Sequence, residues 1–220
     1  MTTAPEIQRP TDFVEHTASR FIAEVQQGYL ADRSAAVGAL AQLRRGAGKL
    51  PQDVPDLWGV TGAERLFEHP LLSRDNQQAT RAEAAYFLAV TLYALHQQSQ
   101  SRPMHKRGVD LGQAVRKLMP PNDIDEPIRR RFVRAGTAAT PEILAYRLRE
   151  VVSLLRGDGI PLDYGRLARQ LYRAQTPGGM SEVRRDWGRS FHTYKADTGE
   201  TTPTDDASAD GAPSTDKDSA

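Results

Sequence analysis

Ala82-Glu83-Ala84-Ala85-Tyr86-Phe87-Leu88-Ala89-Val90-Thr91-Leu92-Tyr93-Ala94-Leu95 decides the fold class of this 220-residue chain. At 100° per residue, Ala82, Ala85, Tyr86, Leu88, Ala89, Leu92, Tyr93 and Leu95 cover well over half of a helix circumference. A helix apolar on so many sides is central and carries other helices around it. The pattern runs from about Asp75 to Gln98, the longest helix in the sequence. His96 lies on the margin of the apolar face and reads as a hydrogen-bonded structural group. The polar run Gln97-Gln98-Ser99-Gln100-Ser101-Arg102-Pro103 breaks the pattern and reads as a short linker.

Working outward, every other periodic segment is also helical. Phe13, Thr17, Phe21 and Val25 recur along one face, with Ile22 beside them, after Pro10-Thr11-Asp12, where Thr11 or Asp12 is the cap. Val37, Leu40, Ala41 and Leu43 mark a second helix ending in Arg44-Arg45-Gly46. The loop 47–55 leads to Leu57-Trp58, where the indole is expected to anchor the core. Thr61-Gly62-Ala63-Glu64 has the spacing of a capping box. Beyond the linker, Val109, Leu111, Val115 and Leu118 mark a helix stopped by Pro120-Pro121. Asp125-Glu126-Pro127 opens another, with Ile128, Phe132 and Ala135 on one face and Arg130, Arg131 and Arg134 opposite. Thr140-Pro141 starts a helix with Leu144, Leu148, Val151, Val152 and Leu155 inward and Ala145 and Arg149 on its other face. Tyr164, Leu167, Ala168 and Leu171 face inward in the next, with Arg166, Arg169 and Arg173 outward. Ser181 caps a last helix with Val183, Trp187 and Phe191 inward and Arg185 and Arg189 outward. The expected fold is all-α: two helical bundles joined by a short linker, with a disordered acidic C-terminal tail. The divisions are 1–9, a disordered lead-in; 10–102, an N-terminal bundle; 103–195, a basic C-terminal bundle; and 196–220, the tail, too polar to offset its chain entropy.

Charge is segregated. Seven acids and one base lie from Ala196 onward, so residues 1–195 hold 28 bases against 21 acids, a net +7. Arg129 to Lys195 alone holds fourteen bases and six acids. Such a body suits a polyanion partner, and guanidinium makes bidentate bonds to phosphate. Enzyme signatures are missing. Gly46-Ala47-Gly48-Lys49 lacks the phosphate-loop spacing. No two of the five His stand at metal-ligand spacing. Asp123, Asp125 and Glu126 are explained by helix capping and the helix dipole. The expectation is a non-enzyme with no cofactor. With no Cys, no signal peptide and no membrane-length apolar run, it fits the reducing cytoplasm.

From about Phe21 to Tyr194 the chain resembles the CasB family, the small subunit of the type I-E CRISPR surveillance complex Cascade. The resemblance rests on Leu43-Arg44-Arg45-Gly46, Pro55-Asp56-Leu57-Trp58, Gly108-Val109-Asp110-Leu111-Gly112, Arg130-Arg131-Phe132, Leu162-Asp163-Tyr164-Gly165-Arg166-Leu167 and Val183-Arg184-Arg185-Asp186-Trp187-Gly188-Arg189-Ser190-Phe191, in that order. It implies an all-helical, non-catalytic subunit, two copies per complex, that packs with other Cascade subunits. Such a subunit supports the guide RNA–target DNA hybrid and holds the displaced strand, and the basic positions are its candidate contacts. Arg44, Arg45, Arg107, Arg130, Arg131 and Arg134 lead; Arg166, Arg169, Arg185 and Arg189 follow. The alternatives are a helical protein–protein scaffold subunit and an unrelated helical DNA-binding regulator.

Overall fold

A computed structural model describes residues 9–194; the disordered tail expected from 196 and most of the lead-in fall outside the described residues. Among those residues the regular elements are all helical. The α-helices are α1 (Pro10–Leu30), α2 (Ser34–Leu43), α3 (Pro70–Arg74), α4 (Asn76–Gln97), α5 (Leu111–Lys117), α6 (Glu126–Gly136), α7 (Pro141–Gly157), α8 (Tyr164–Ala174) and α9 (Gly179–His192). Short 3-10 turns at 44–46, 51–53, 55–57 and 63–68 fill the path from α2 to α3. The only extended pairing among them is an isolated parallel bridge between His105 and Leu162.

The central helix is as the sequence demands. Every residue from Ala85 to Ala94 in α4 is buried, and α1, α2, α3, α7 and α8 pack around it. Burial on all sides leaves Thr91 needing a partner, and its hydroxyl donates to the Phe87 carbonyl at 2.9 Å. Asp75 caps α4 by accepting the Gln77 and Gln78 N–H groups at 2.9 and 3.0 Å. His96 is fully buried, with Nδ1 at 2.8 Å from the Tyr164 hydroxyl.

One apolar core runs through the helices before and after the linker. Two glycines allow close helix crossings, Gly165 between the halves and Gly112 within the second. A methyl group at Gly165 of α8 would lie 2.9 Å from the Glu15 carbonyl of α1; one at Gly112 of α5 would lie 2.0 Å from the Trp187 carbonyl of α9. The linker is bolted down. The fully buried Gln97 side chain accepts the Met104 N–H and donates to the Gln100 and Arg102 carbonyls, all at 3.0 Å. Asp163 ties the second half together: one carboxylate oxygen caps α8 at Arg166 N (3.0 Å) and the other accepts Gly108 N–H (2.8 Å).

Four local expectations are corrected. Trp58 is not a core anchor but 71% exposed; the 3-10 turn Pro55–Leu57 points Leu57 inward onto Phe87 and ends at Trp58. Gly62 at φ 73° is the residue that precedes the turn Ala63–Glu68, and the Thr61 hydroxyl accepts only the Ala63 N–H, at 3.4 Å, so no capping box forms there. α1 buries Thr17 and Ile22 as expected, but its deepest side also holds Val14, Ala18 and Ser19, because α8 covers these small residues, and Phe13, Phe21 and Val25 are only partly buried against the core. Ala145 of α7 is buried, since the Gly48 turn packs on that side.

Candidate nucleic-acid interface

α6 is fastened by one edge. Asp125 caps it, its Oδ1 accepting the Ile128 N–H at 2.9 Å. Pro127 occupies the first turn, where a missing N–H costs nothing. The buried Phe132 ring lies 6.1 Å from Trp187 and 5.8 Å from Phe191 of α9. With that edge fixed, Arg130, Arg131 and Arg134 are exposed. Arg130 Nε makes a 3.4 Å bond to the Glu126 carbonyl. Arg131 and Arg134 have neither an ion pair nor a side-chain hydrogen bond among the described residues. The acid within α6 is occupied elsewhere: Glu126 takes two bonds from Arg129, at 2.8 and 3.0 Å. The bonds from Arg129 hold its carboxyl below the ordinary range.

α9 continues the basic surface. Val183, Trp187 and Phe191 are buried, and Arg185 and Arg189 project outward without an ion pair among the described residues. Arg184, absent from the expected contacts, runs its stem past the end of α6, so that a methyl group at Gly136 would lie 3.5 Å from its Cγ. Its guanidinium bonds the Ser181 hydroxyl at 2.9 Å. The sequence signal for Arg184 was its place beside Arg185; a helical projection alone puts it at the boundary of the buried face.

The α8 row is different. Arg166 pairs with Asp110 at 2.9 Å, and Arg169 with Asp12 and Glu15 at 3.4 and 3.2 Å. Arg173 pairs with Glu182 and, at 3.2 Å, with Asp186. The side that projects outward on a helical wheel therefore meets acids of α1, α9 and the turn before α5. The gain from such part-exposed pairs is small, but each fixes a guanidinium in place.

The turn after α2 brings Arg44 and Arg45 to the surface. Arg45 is 3.2 Å from Asp56, both groups exposed, whereas Arg44 has no ion pair among the described residues. Gly48, at φ 79°, lets α7 close in: a methyl group there would lie 2.9 Å from Arg149 Cδ. Arg149, also missed, is thereby added to this second patch. Its signal was a positive-φ glycine, which sequence spacing does not reveal. Arg107 is exposed on the turn between His105 and Val109.

The acids that open α6 have structural work. Asp123 accepts the Ile124 N–H at 2.8 Å, beside the Asp125 cap and the Glu126 pair. No group of three or more candidate metal ligands occurs among the described residues. No helix among them is long and apolar enough to cross a membrane.

Residues 39–192 match the family of CRISPR-associated protein Cse2. The chain is similar to the crystal structure of CasB from Thermobifida fusca, with 49% identity and a TM-score of 0.74 over 82% of this chain and 98% of that one. It is also similar to a chain of a CRISPR RNA-guided surveillance complex, with 22% identity and a TM-score of 0.56 over 82% of this chain and 96% of the other, a likeness of fold. Curated proteins gave no match.

Proposed function

The chain belongs to the CRISPR-associated Cse2 family, and on that footing we propose that it is a non-catalytic subunit of a type I-E Cascade surveillance complex that binds nucleic acid by its phosphates. The single observation that carries this reading is the α6 face. Arg130, Arg131 and Arg134 stand exposed there, with no acid pairing them among the described residues. Sequence-tolerant binding is what the role requires, because the target changes with the guide. Exchange of a DNA duplex for an RNA–DNA hybrid is nearly balanced, so modest contacts to the displaced strand tip it.

The ten candidate arginines divide by their partners. Arg44, Arg107, Arg130, Arg131, Arg134, Arg185 and Arg189 are the phosphate contacts, joined by Arg149 and Arg184. Arg45, Arg166 and Arg169 are held by carboxylates and act first within the fold. The partners are the guide RNA, the displaced DNA strand, other Cascade subunits and a second copy of this chain.

Co-expression with the other subunits and a guide RNA, followed by native mass spectrometry, tests the reading. A ribonucleoprotein containing two copies of this chain is the expected result. A complex that assembles fully without it overturns the proposal.

A further inference from the structure

Trp58 is the most exposed large apolar side chain among the described residues, and a groove of about 550 Å³ opens beside it, between the 51–63 loop and α4. Leu57 and Phe87, both buried, form its floor; Trp58 and Phe67, the latter 42% exposed, stand at its edge. No Lys or Arg lines it. Its charged lining groups are Glu64 and Glu83, and neither has an ion pair among the described residues. Glu83 is partly buried, and desolvation pushes its carboxyl up from the ordinary value.

This chemistry is the opposite of the α6 face. Two carboxylates repel a phosphate backbone, so the groove is not an extension of the arginine surface. An apolar floor edged by an indole, with unpaired negative charge on the walls, is complementary to a large apolar side chain next to Lys or Arg. Aromatic anchors in such pockets carry most of the binding energy of protein interfaces. A second copy is the poorer fit. Its exposed Val133 lies among Arg130, Arg131 and Arg134, groups already assigned to phosphate, and its exposed Tyr146 is flanked by Arg147, already paired with Glu150 at 2.8 Å, and by Arg149, likewise assigned to phosphate.

We infer that the Trp58 groove docks a different protein subunit of the complex, through a segment bearing an aromatic or aliphatic anchor flanked by basic residues. The inference rests on the reading that this chain works within a multisubunit complex.

The test uses the full chain, the other Cascade subunits and guide RNA, with Trp58→Ala and the double charge reversal Glu64→Lys/Glu83→Lys. Both are expected to weaken retention in the complex by at least about tenfold. The isolated Trp58→Ala variant should keep the wild-type unfolding transition and single-stranded DNA affinity, and the double charge reversal should not lower that affinity, since it adds positive charge. Wild-type retention of both variants overturns the groove alone. So does a parallel loss of DNA affinity, which would make the groove a nucleic-acid site, or loss confined to self-association, which would make the occupant a second copy. If the double variant fails to fold, Trp58→Ala decides, since its side chain is 71% exposed. Failure of the unaltered chain to assemble overturns the complex reading and the groove with it.

Discussion

Tyr164 is the residue at which two buried histidines meet. Its N–H donates to His105 Nδ1 at 3.2 Å, and its hydroxyl lies 2.8 Å from His96 Nδ1. Burial pushes the His96 imidazole down to about 4, against backbone groups of Leu155 and Ile160 that favour the charged form. Burial also lowers His105, whose Nδ1 lone pair is already used. The folded values lie below the unfolded value, so the unfolded chain takes up protons first as pH falls. Stability present above pH 6.5 is therefore lost on the way to pH 4. For His96 a depression of this size corresponds to about 3 kcal/mol. Urea unfolding of the wild type should lose midpoint over that window, and His96→Gln should be less stable at neutral pH but flatter below it. An equally steep loss in the variant contradicts the assignment. The structural role of His96 was legible because a lone His on an apolar face needs a partner. Trp58 was misread because a one-residue shift in a 3-10 turn decides whether Leu57 or Trp58 faces the core.

At the scale of elements, the same substitution has opposite signs at two glycines. Gly38 of α2 has open space around its missing side chain, so Gly38→Ala should stabilise by up to about 1 kcal/mol through helix propensity. Gly112 of α5 lies against α9 backbone, so Gly112→Ala should destabilise by about 2 kcal/mol or more. Urea denaturation of the two variants checks this, and a common sign refutes the close α5–α9 approach. Helix identity was readable from periodicity and from caps such as Asp125, Thr140 and Asp163, whose side chains accept first-turn N–H groups. The buried side of α1 was not. Its face is chosen by the Gly165 crossing with α8, which joins residues about 150 apart in sequence. That crossing also explains why Arg169 meets Asp12 and Glu15 instead of solvent.

Across the whole molecule, acid placement decides what the arginines can do. The body carries +7, yet Asp12, Glu15, Asp110, Glu182 and Asp186 pair with the α8 arginines, while Arg131, Arg134, Arg185 and Arg189 of α6 and α9 have no ion pair among the described residues. The net charge was legible in the sequence; the division of arginines into paired and unpaired was not, because the pairs join distant segments. The most direct test of the central claim is the salt dependence of single-stranded DNA binding by the wild type and by Arg130→Ala/Arg131→Ala/Arg134→Ala. Removing one phosphate-binding guanidinium should lower the log–log slope by about 0.7, so the triple variant should fall by about 2 in slope, equally on unrelated sequences. An unchanged slope in a cooperatively folded variant, or a weakening confined to one sequence, would contradict the account.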